Sequence, residues 1–465
     1  MFKILKRYNE DKDFYKKLTK ITIPIVLQNF IASSINMLDT LMIGSLGEVE
    51  LASVGIANQF YFIFSLAIFG ISAGCGVFIA QLWGKKDDKN IKKVLGLGLI
   101  SGAIIALLFT LAAIFMPEHI MGIFNKETQV ISKGSSYLII VAISYILTMI
   151  TFNYAAALRS IGNPLLPMWA SFGALLINGF LNYTFIFGHF GFEAMGVKGA
   201  ALATVIARMV EMLIILVGVK ISVKTLQGKW KDFIGAGKSL KNGVFKTSCP
   251  IVLNDLCWGL GNATYAIVFG RIGTGATAAV QIDTTILNFF MIVIYGLANA
   301  AVVIVGNEIG AGREKRGITY AGRISRLSIE IGIILAILLA STAPIMLNGF
   351  NISETVKIDA ERILYVYSII LIARVYTIIL IVGILRGGGD NKYGSIVQAT
   401  TLWCVGIPLA FIGAFYFKLP VYYVVGLTAM EEIIKCIILT RRYKSNKWIN
   451  NMVDDLEKSS EPILI

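Results

Sequence analysis

Four oxygen-bearing side chains lie within long apolar stretches of this chain, where each polar group needs a specific reason: Asp39, Asn178, Asn182 and Thr204. A charged side chain at mid-bilayer costs at least about 2.5–3.5 kcal/mol, so Asp39 is costly if its stretch spans a membrane. Carboxylate, amide and hydroxyl oxygens are the hard donors that a small hard cation prefers. The same surroundings suit a desolvated aspartic acid that carries a proton. The set therefore predicts a site for Na⁺ or H⁺. The alternative is that Asp39 only stabilises helix packing through the two amides.

The spacing brings these side chains to a similar depth if their stretches are helices. Asp39 lies 18 residues beyond Ile21, which is about 27 Å along a helix axis. Asn182 lies at a similar distance into the fifth apolar stretch, which runs in the same direction. Asn178 and Asn182 are four residues apart and share a helix face. We therefore expect the aspartate and the amides to meet, with Thr204 approaching from the sixth stretch.

A second group of charged, polar and aromatic side chains lies in the apolar stretches of the second half: Asp255, Trp258, Tyr265, Gln281, Arg374, Glu431 and Glu432. Acids that face a water-filled cavity would attract a cationic substrate, and aromatic rings would stack on it. Glu431 and Lys435 have a spacing of four and are expected to pair, with Glu432 on a different flank. In the first half, Arg208 and Glu211 are expected to neutralise each other. The second group predicts a substrate cavity, and the alternative is a salt-bridge network between helices.

Composition decides which elements position these groups. The chain has 465 residues, of which 56% are hydrophobic and 15% charged, whereas soluble domains are about 25% charged. Apolar runs of about twenty residues recur, each long enough to cross roughly 30 Å of hydrocarbon as a helix. Backbone groups in lipid must be satisfied within the segment, and the alternation of a barrel is absent. We therefore predict an all-α integral membrane protein with twelve transmembrane helices. The five cysteines have no CxxC spacing and predict neither disulfides nor a metal site.

Positive residues concentrate in alternate connections between the apolar stretches. A net charge of +14 would suit nucleic-acid binding, but the charges lie beside the spans rather than on one soluble face. The positive-inside rule therefore predicts a multi-pass protein of the plasma membrane with both termini in the cytoplasm. The expected segments are a cytoplasmic N-terminal segment at 1–18, a first lobe at 19–219, a cytoplasmic loop at 220–244, a second lobe at 245–440 and a cytoplasmic tail at 441–465.

One half of the chain is repeated in the other. The hexapeptide that begins at Pro24 matches the one that begins at Pro250, 226 positions later. With one more residue of offset, Arg159 matches Arg386. Six spans per half is an even number, so both halves enter the membrane from the same side and the repeat is parallel. This predicts two pseudo-symmetric six-helix lobes, an arrangement typical of transporters that move one half against the other.

The duplicated loops resemble the paired LRGxGD loops of the MATE (multidrug and toxic compound extrusion) family. The resemblance covers nearly the whole chain and rests on these residues: Ala157–Pro164, Ile384–Asp390, Asn36–Thr40, Gln81–Gly84, Gly199–Thr204 and Glu431-Glu432. It implies an antiporter, not an enzyme, that exports organic cations or similar amphiphiles in exchange for Na⁺ or H⁺. Asp39 with the two asparagines resembles the positions assigned to cation coupling in MATE exporters. Some proton-coupled archaeal relatives have Asp at the position of Asn182, which favours sodium here. Asp255 resembles an acidic position of the seventh span, whereas Arg374 departs from the neutral or acidic residue expected there.

Two other transporter classes fit part of the sequence. A flippase for lipid-linked saccharides, from the same superfamily, would use cations such as Arg374 and Lys435 to hold phosphates. A major-facilitator-type transporter also has twelve spans in a parallel duplication, but it does not account for the twin Leu-Arg loops. We expect no cofactor apart from the coupling cation, small amphiphilic cations as substrates, contacts with membrane lipids, no nucleic-acid partner and function as a monomer.

Overall fold

The structure is a computed structural model that describes residues 12–350 and 352–454. The predicted terminal segments 1–18 and 441–465 therefore lie partly outside the described residues. Twelve long helical segments follow one another in the described ranges, which contain no strand apart from a bridge between Gly389 and Ile449. We number them α1 Lys12–Gly44, α2 Glu48–Lys85, α3 Asp88–Phe115, α4 Thr128–Val141 with Ile143–Ser160, α5 Leu165–Phe187, α6 Val197–Ser222, α7 Lys238–Ile272, α8 Thr274–Gly310, α9 Glu314–Leu347, α10 Glu354–Leu385, α11 Asn391–Tyr416 and α12 Val421–Thr428 with Met430–Lys444.

Local sequence explains where the helices begin and bend. Asp87 caps α3, because its carboxylate accepts a hydrogen bond from the backbone N–H of Asn90 at 3.1 Å. The two parts of α4 meet at an angle of 48°. Pro24 and Pro250 lie inside α1 and α7, and both helices continue through them. Three short helices lie in two of the connections: Pro117–Phe124 between α3 and α4, and Lys224–Leu226 and Trp230–Phe233 between α6 and α7.

Most of these helices are suited to a bilayer. Among the described residues, nine helices are long and apolar enough to cross a membrane, and the bent pair in α4 makes ten. The remaining two segments, α7 and α12, carry polar groups in their middle: Asn254, Asp255 and Asn262 in α7, and Glu431, Glu432 and Lys435 in α12. The prediction of an all-α, multi-pass membrane protein is confirmed. The two least apolar segments hold much of the predicted second-half site.

The described residues form two compact units, which we call the N-unit, residues 23–252, and the C-unit, residues 12–22 with 253–454. In the N-unit core, Phe64 of α2 and Tyr145 of α4 are fully buried and stack with 4.8 Å between ring centroids. Glycine permits close backbone approach at the edge of this core: a Cβ on Gly96 would collide with the carbonyl group of Phe233. The N-unit therefore holds α2 to α6 together by dense apolar and small-residue packing.

In the C-unit, the segment after α12 packs against the duplicated loop that follows α10. The Trp448 side chain is fully buried there. The Asn450 N–H donates to the carbonyl oxygen of Gly388 at 2.7 Å, and Arg442 Nε donates to the Asp390 carboxylate at 2.7 Å. The equivalent N-unit loop is more open, since a Cβ on Gly162 would have no atom within 4 Å. The two copies of the loop thus have different surroundings.

Candidate cation and substrate sites

Asp39 meets the two predicted amides inside the N-unit. The Nδ2 of Asn182 donates to Oδ1 of Asp39 at 2.5 Å and to Oδ1 of Asn178 at 3.2 Å. Both asparagines are buried, with 1% and 0% of their surface exposed for Asn178 and Asn182. Helix α1 supplies the carboxylate, and α5 supplies both amides because they lie one turn apart on one face. The structure therefore brings these three predicted residues together.

Two buried polar atoms of this cluster have no hydrogen-bond partner among the residues that the structure describes: Asn182 Oδ1 and Asn178 Nδ2. Buried polar groups are nearly always paired, so an unpartnered amide oxygen next to a carboxylate suits an additional cation or water. The Thr204 hydroxyl donates to the carbonyl oxygen of Ala200 at 3.0 Å rather than to Asp39. Its lone pairs can still accept, and the buried Tyr137 hydroxyl lies near it. The residues present fit a small hard cation or a proton.

A continuous chain of polar contacts lies beside this cluster in the N-unit. Arg208 NH1 pairs with Glu211 Oε2 at 2.8 Å, so the predicted pair is present. The Ser171 hydroxyl donates to Glu211 Oε1 at 2.7 Å and accepts from Gln28 Nε2 at 3.3 Å. Arg159 NH1 then donates to Gln28 Oε1 at 3.2 Å. These contacts connect the last turn of α4 with the charged pair on α6.

Lys435 joins two glutamates at the centre of the C-unit. Its Nζ lies 3.2 Å from Glu431 Oε1 and 3.0 Å from Glu432 Oε1. The pair of Lys435 with Glu432 was not predicted, and it forms because residues three and four apart on a helix can both reach the same lysine. The Tyr265 hydroxyl of α7 donates to Glu431 Oε2 at 3.2 Å, and the Thr377 hydroxyl of α10 donates to Glu432 Oε2 at 2.7 Å, so the two carboxylates also face different helices. Three predicted residues are thus brought together.

The structure places the other predicted residues of the second half in different surroundings. The charge of Arg374 interacts with that of Glu432, so Arg374 belongs to the same cluster. Asp255 instead pairs with Arg386, whose NH2 lies 3.4 Å from Asp255 Oδ1. The Trp258 side chain is half-buried and Gln281 is exposed. Neither has a side-chain hydrogen bond to this cluster within the described residues.

Several contributors were not predicted as site residues, namely Gln28, Ser171, Thr377 and Arg386. Arg386 had a usable signal, because its match to Arg159 in the repeat indicates a shared contact. Ser171 lies seven residues before Asn178, which is two helical turns along one face of α5. Thr377 carries no distinguishing pattern in the sequence. No group of three or more His, Cys, Asp or Glu side chains that could hold a metal ion occurs in residues 12–350 and 352–454.

An internal repeat of helices and charged side chains inside the spans are typical of a membrane transporter. Its two halves, residues 24–184 and 250–412, each match the profile of the MatE family. The chain belongs to this family. The predicted resemblance is confirmed, the major-facilitator alternative is wrong, and the protein is a transporter rather than an enzyme.

Relatives match along most of their length. "Probable multidrug resistance protein NorM" of Thermotoga maritima is 24% identical over 473 residues, with 99% of each chain covered. "Probable multidrug resistance protein NorM" of Agrobacterium fabrum is 25% identical over 409 residues, covering 86% of this chain and 87% of the relative. Among solved structures, "Crystal structure of MATE in the bent conformation" has a TM-score of 0.85 at 18% identity, covering 96% of this chain and 97% of the other. This likeness concerns the fold.

Proposed function

We propose that this protein is a secondary active exporter of small amphiphilic organic cations, driven by inward movement of Na⁺ or H⁺. Curated relatives are named as multidrug resistance proteins, which supports xenobiotic substrates. The two halves alternate in exposing the substrate to each side of the membrane. The single observation that carries this proposal is the buried contact of Asp39 with Asn182, which also donates to Asn178.

The coupling cation binds at Asp39, Asn178, Asn182 and Thr204. Asp39 accepts its hydrogen bond from an amide rather than from a basic side chain, so its negative charge remains available to one monovalent cation. Sodium binding requires the Asn182 amide to turn, so that its unpartnered oxygen replaces the N–H that faces Asp39. A proton instead binds the carboxylate directly. One charge that crosses 100 mV releases about 2.3 kcal/mol, enough to bias the cycle by more than tenfold.

The substrate is held by the C-unit cluster. Glu431 and Glu432 supply negative charge, and Tyr265 supplies an aromatic face beside Glu431. Lys435 and Arg374 partly neutralise the acids. A substrate with one positive charge and a large apolar body suits such a setting, because it displaces part of the lysine interaction. Trp258 and Gln281 complete the predicted cavity.

We also place the protein in the plasma membrane as a monomer with both termini in the cytoplasm. The support is the distribution of positive residues, which concentrate at 220–244 and after Arg441.

Reconstituted proteoliposomes test this function. Efflux of a fluorescent organic cation is measured with an imposed Na⁺ gradient or an imposed pH gradient, each applied alone. We expect one of the two gradients to accelerate efflux, and we expect an ionophore that collapses that gradient to remove the acceleration. Efflux that responds to neither gradient contradicts the proposal.

Export of an anionic amphiphile, such as a lipid-linked saccharide, is the second candidate. Three basic side chains favour it: Arg374 and Lys435 of the C-unit cluster, and Arg386, which pairs with Asp255. A solved structure titled "Reverse polarity of binding pocket suggests different function of a MOP superfamily transporter from Pyrococcus furiosus Vc1 (DSM3638)" has a TM-score of 0.82 to this chain at 18% identity. Selective transport of an anionic dye in the same liposomes would favour this candidate.

A further inference from the structure

A buried arginine in the N-unit pairs with one carboxylate and interacts electrostatically with a second. Arg208 on α6 pairs with Glu211 at 2.8 Å, and their side chains are only 21% and 5% exposed. The charge of Arg208 also interacts with that of Asp39 on α1. Arg208 lies four residues after Thr204 and so shares its helix face. One guanidinium is therefore within electrostatic reach of both acids.

The two acids differ in how they are held. Glu211 is fixed from two sides, since Oε2 contacts Arg208 and Oε1 accepts from the buried Ser171 at 2.7 Å. Asp39 accepts its hydrogen bond from a neutral amide, that of Asn182, which also donates to Asn178. The pair of Arg208 and Glu211 is neutral as a whole, which leaves Asp39 with one uncompensated charge.

The other titratable groups around these acids are tyrosines. Tyr61 of α2 faces Arg208, and Tyr137 of α4 faces Asp39 and Arg208. Neutral tyrosines do not compete for Asp39 as a cation does. Among the described residues, Arg208 is thus the basic side chain whose charge interacts with both Asp39 and Glu211.

We propose that Arg208 is a tethered counter-cation that competes with the transported cation for Asp39, and that Glu211 holds it away while the site is loaded. This inference rests on the proposed coupling role of Asp39. With the cation bound, Arg208 pairs with Glu211. When the cation leaves toward the cytoplasm, the guanidinium, a long side chain with five N–H donors, moves to bridge both carboxylates. Arg208 therefore lowers the affinity of the loaded site and assists release.

The proposal predicts opposite effects for the two partners. In Glu211→Gln, Arg208 loses its holding charge and stays with Asp39, so the half-saturating concentration of the coupling cation rises. In Arg208→Gln, Asp39 has no competitor, so that concentration falls while the maximal transport rate also falls because release is slower. Each shift should be about tenfold, the size of a typical coupling between two sites.

The double variant Arg208→Gln with Glu211→Gln removes both charges and leaves no unpaired buried ion, so it is the control for folding. Adding Glu211→Gln to Arg208→Gln should therefore not raise the half-saturating concentration, because that effect of Glu211→Gln requires Arg208. The experiment measures gradient-driven efflux in proteoliposomes at varied cation concentration, for the wild type and three variants. If the pair is only structural, the variants change in protein yield and stability. The two single variants then do not shift the half-saturating cation concentration in opposite directions.

The outcomes separate the two proposals. If the wild type shows no dependence on Na⁺ or H⁺, the proposed function fails. If the wild type is cation-dependent but the two single variants have the wild-type half-saturating concentration, the counter-cation role is overturned. It is also overturned if Glu211→Gln has the same effect with and without Arg208.

Discussion

The two halves of the chain make the same contact with different chemistry. In the N-unit, Arg159 donates to Gln28 at 3.2 Å, and in the C-unit Arg386 contacts Asp255 at 3.4 Å. Both contacts join residues 131 positions apart in the sequence. Each connects the end of the fourth helix of a repeat to the first helix of that repeat. The duplication has kept the guanidinium, whereas its partner is an amide in the N-unit and, one residue further along in the register that matches Pro24 with Pro250, a carboxylate in the C-unit.

The difference shows how charge is distributed between the units. In the C-unit, Asp255, Glu431 and Glu432 each have a basic partner. In the N-unit, Glu211 has Arg208, whereas Asp39 receives its hydrogen bond from an amide. Asp283 of the C-unit departs from this rule, because neither of its buried oxygens has a hydrogen-bond partner among the residues that the structure describes. The difference supports the proposed cation site at Asp39 and the proposed binding of substrate at the paired charges of Glu431 and Glu432.

The largest expected effect separates Asp39 from Asp255. Asp39→Asn removes the charge that the coupling cation needs, so gradient-driven efflux should fall to that of protein-free liposomes. Asp255→Asn breaks the pair with Arg386 and lowers stability, but its folded protein should retain coupled efflux, because Asp255 is not a ligand of the proposed coupling cation. Efflux assays on both variants check this. Coupled efflux by Asp39→Asn at the wild-type rate would contradict the coupling role.

The duplicated arginines should differ in their contribution to stability. Arg386→Gln leaves the carboxylate of Asp255 without its partner, and breaking a buried pair in this way costs about 3–5 kcal/mol. Arg159→Gln removes a hydrogen bond to a neutral amide, which is worth about 0.5–1.5 kcal/mol. Thermal unfolding of both variants in detergent measures the order. Equal losses would mean that the charge of the partner is unimportant.

The loop glycines offer a matched pair with nearly equal backbone strain. Gly162 and Gly389 have φ angles of +82° and +85°. A Cβ on Gly389 would also lie 2.8 Å from the carbonyl oxygen of Asn450, whereas one on Gly162 meets nothing. Gly162→Ala should cost about 1 kcal/mol from the positive φ alone, and Gly389→Ala about 1–3 kcal/mol more from overpacking. The same unfolding assay checks this, and a smaller loss for Gly389→Ala would contradict the docked C-terminal segment.

The smallest expected effect concerns substrate affinity. Lys435→Gln leaves Glu431 and Glu432 with less positive charge nearby, so the affinity for an organic cation should rise by about threefold to tenfold. Lys133→Gln is the control, since Lys133 forms an exposed pair with Glu50, and such pairs contribute little. Dye-binding titration of purified protein measures both. If Lys435→Gln instead binds the cationic dye more weakly than the wild type, or loses affinity for an anionic dye, the anionic substrate is favoured.

Part of this arrangement could be predicted from the sequence because it is local. Apolar runs define the helices, and the spacing of Asn178 and Asn182 puts both amides on one face. Counting residues from the helix start brings Asp39 to the same depth. The partner of Asp255 and the contact of Thr377 with Glu432 could not be predicted, because they depend on how distant helices rotate about their axes. The same lack of rotational information explains why Trp258 and Gln281 were grouped with a cluster that they do not contact by hydrogen bonds.

The most direct test of the account is to count the cations that the purified protein binds, with radiolabelled Na⁺ and, in a separate titration, with protons. We predict that the wild type binds one Na⁺ per chain, or one more proton than Asp39→Asn does, and that Asp255→Asn retains this cation. Binding of the same number of cations by Asp39→Asn and by the wild type would contradict the central claim.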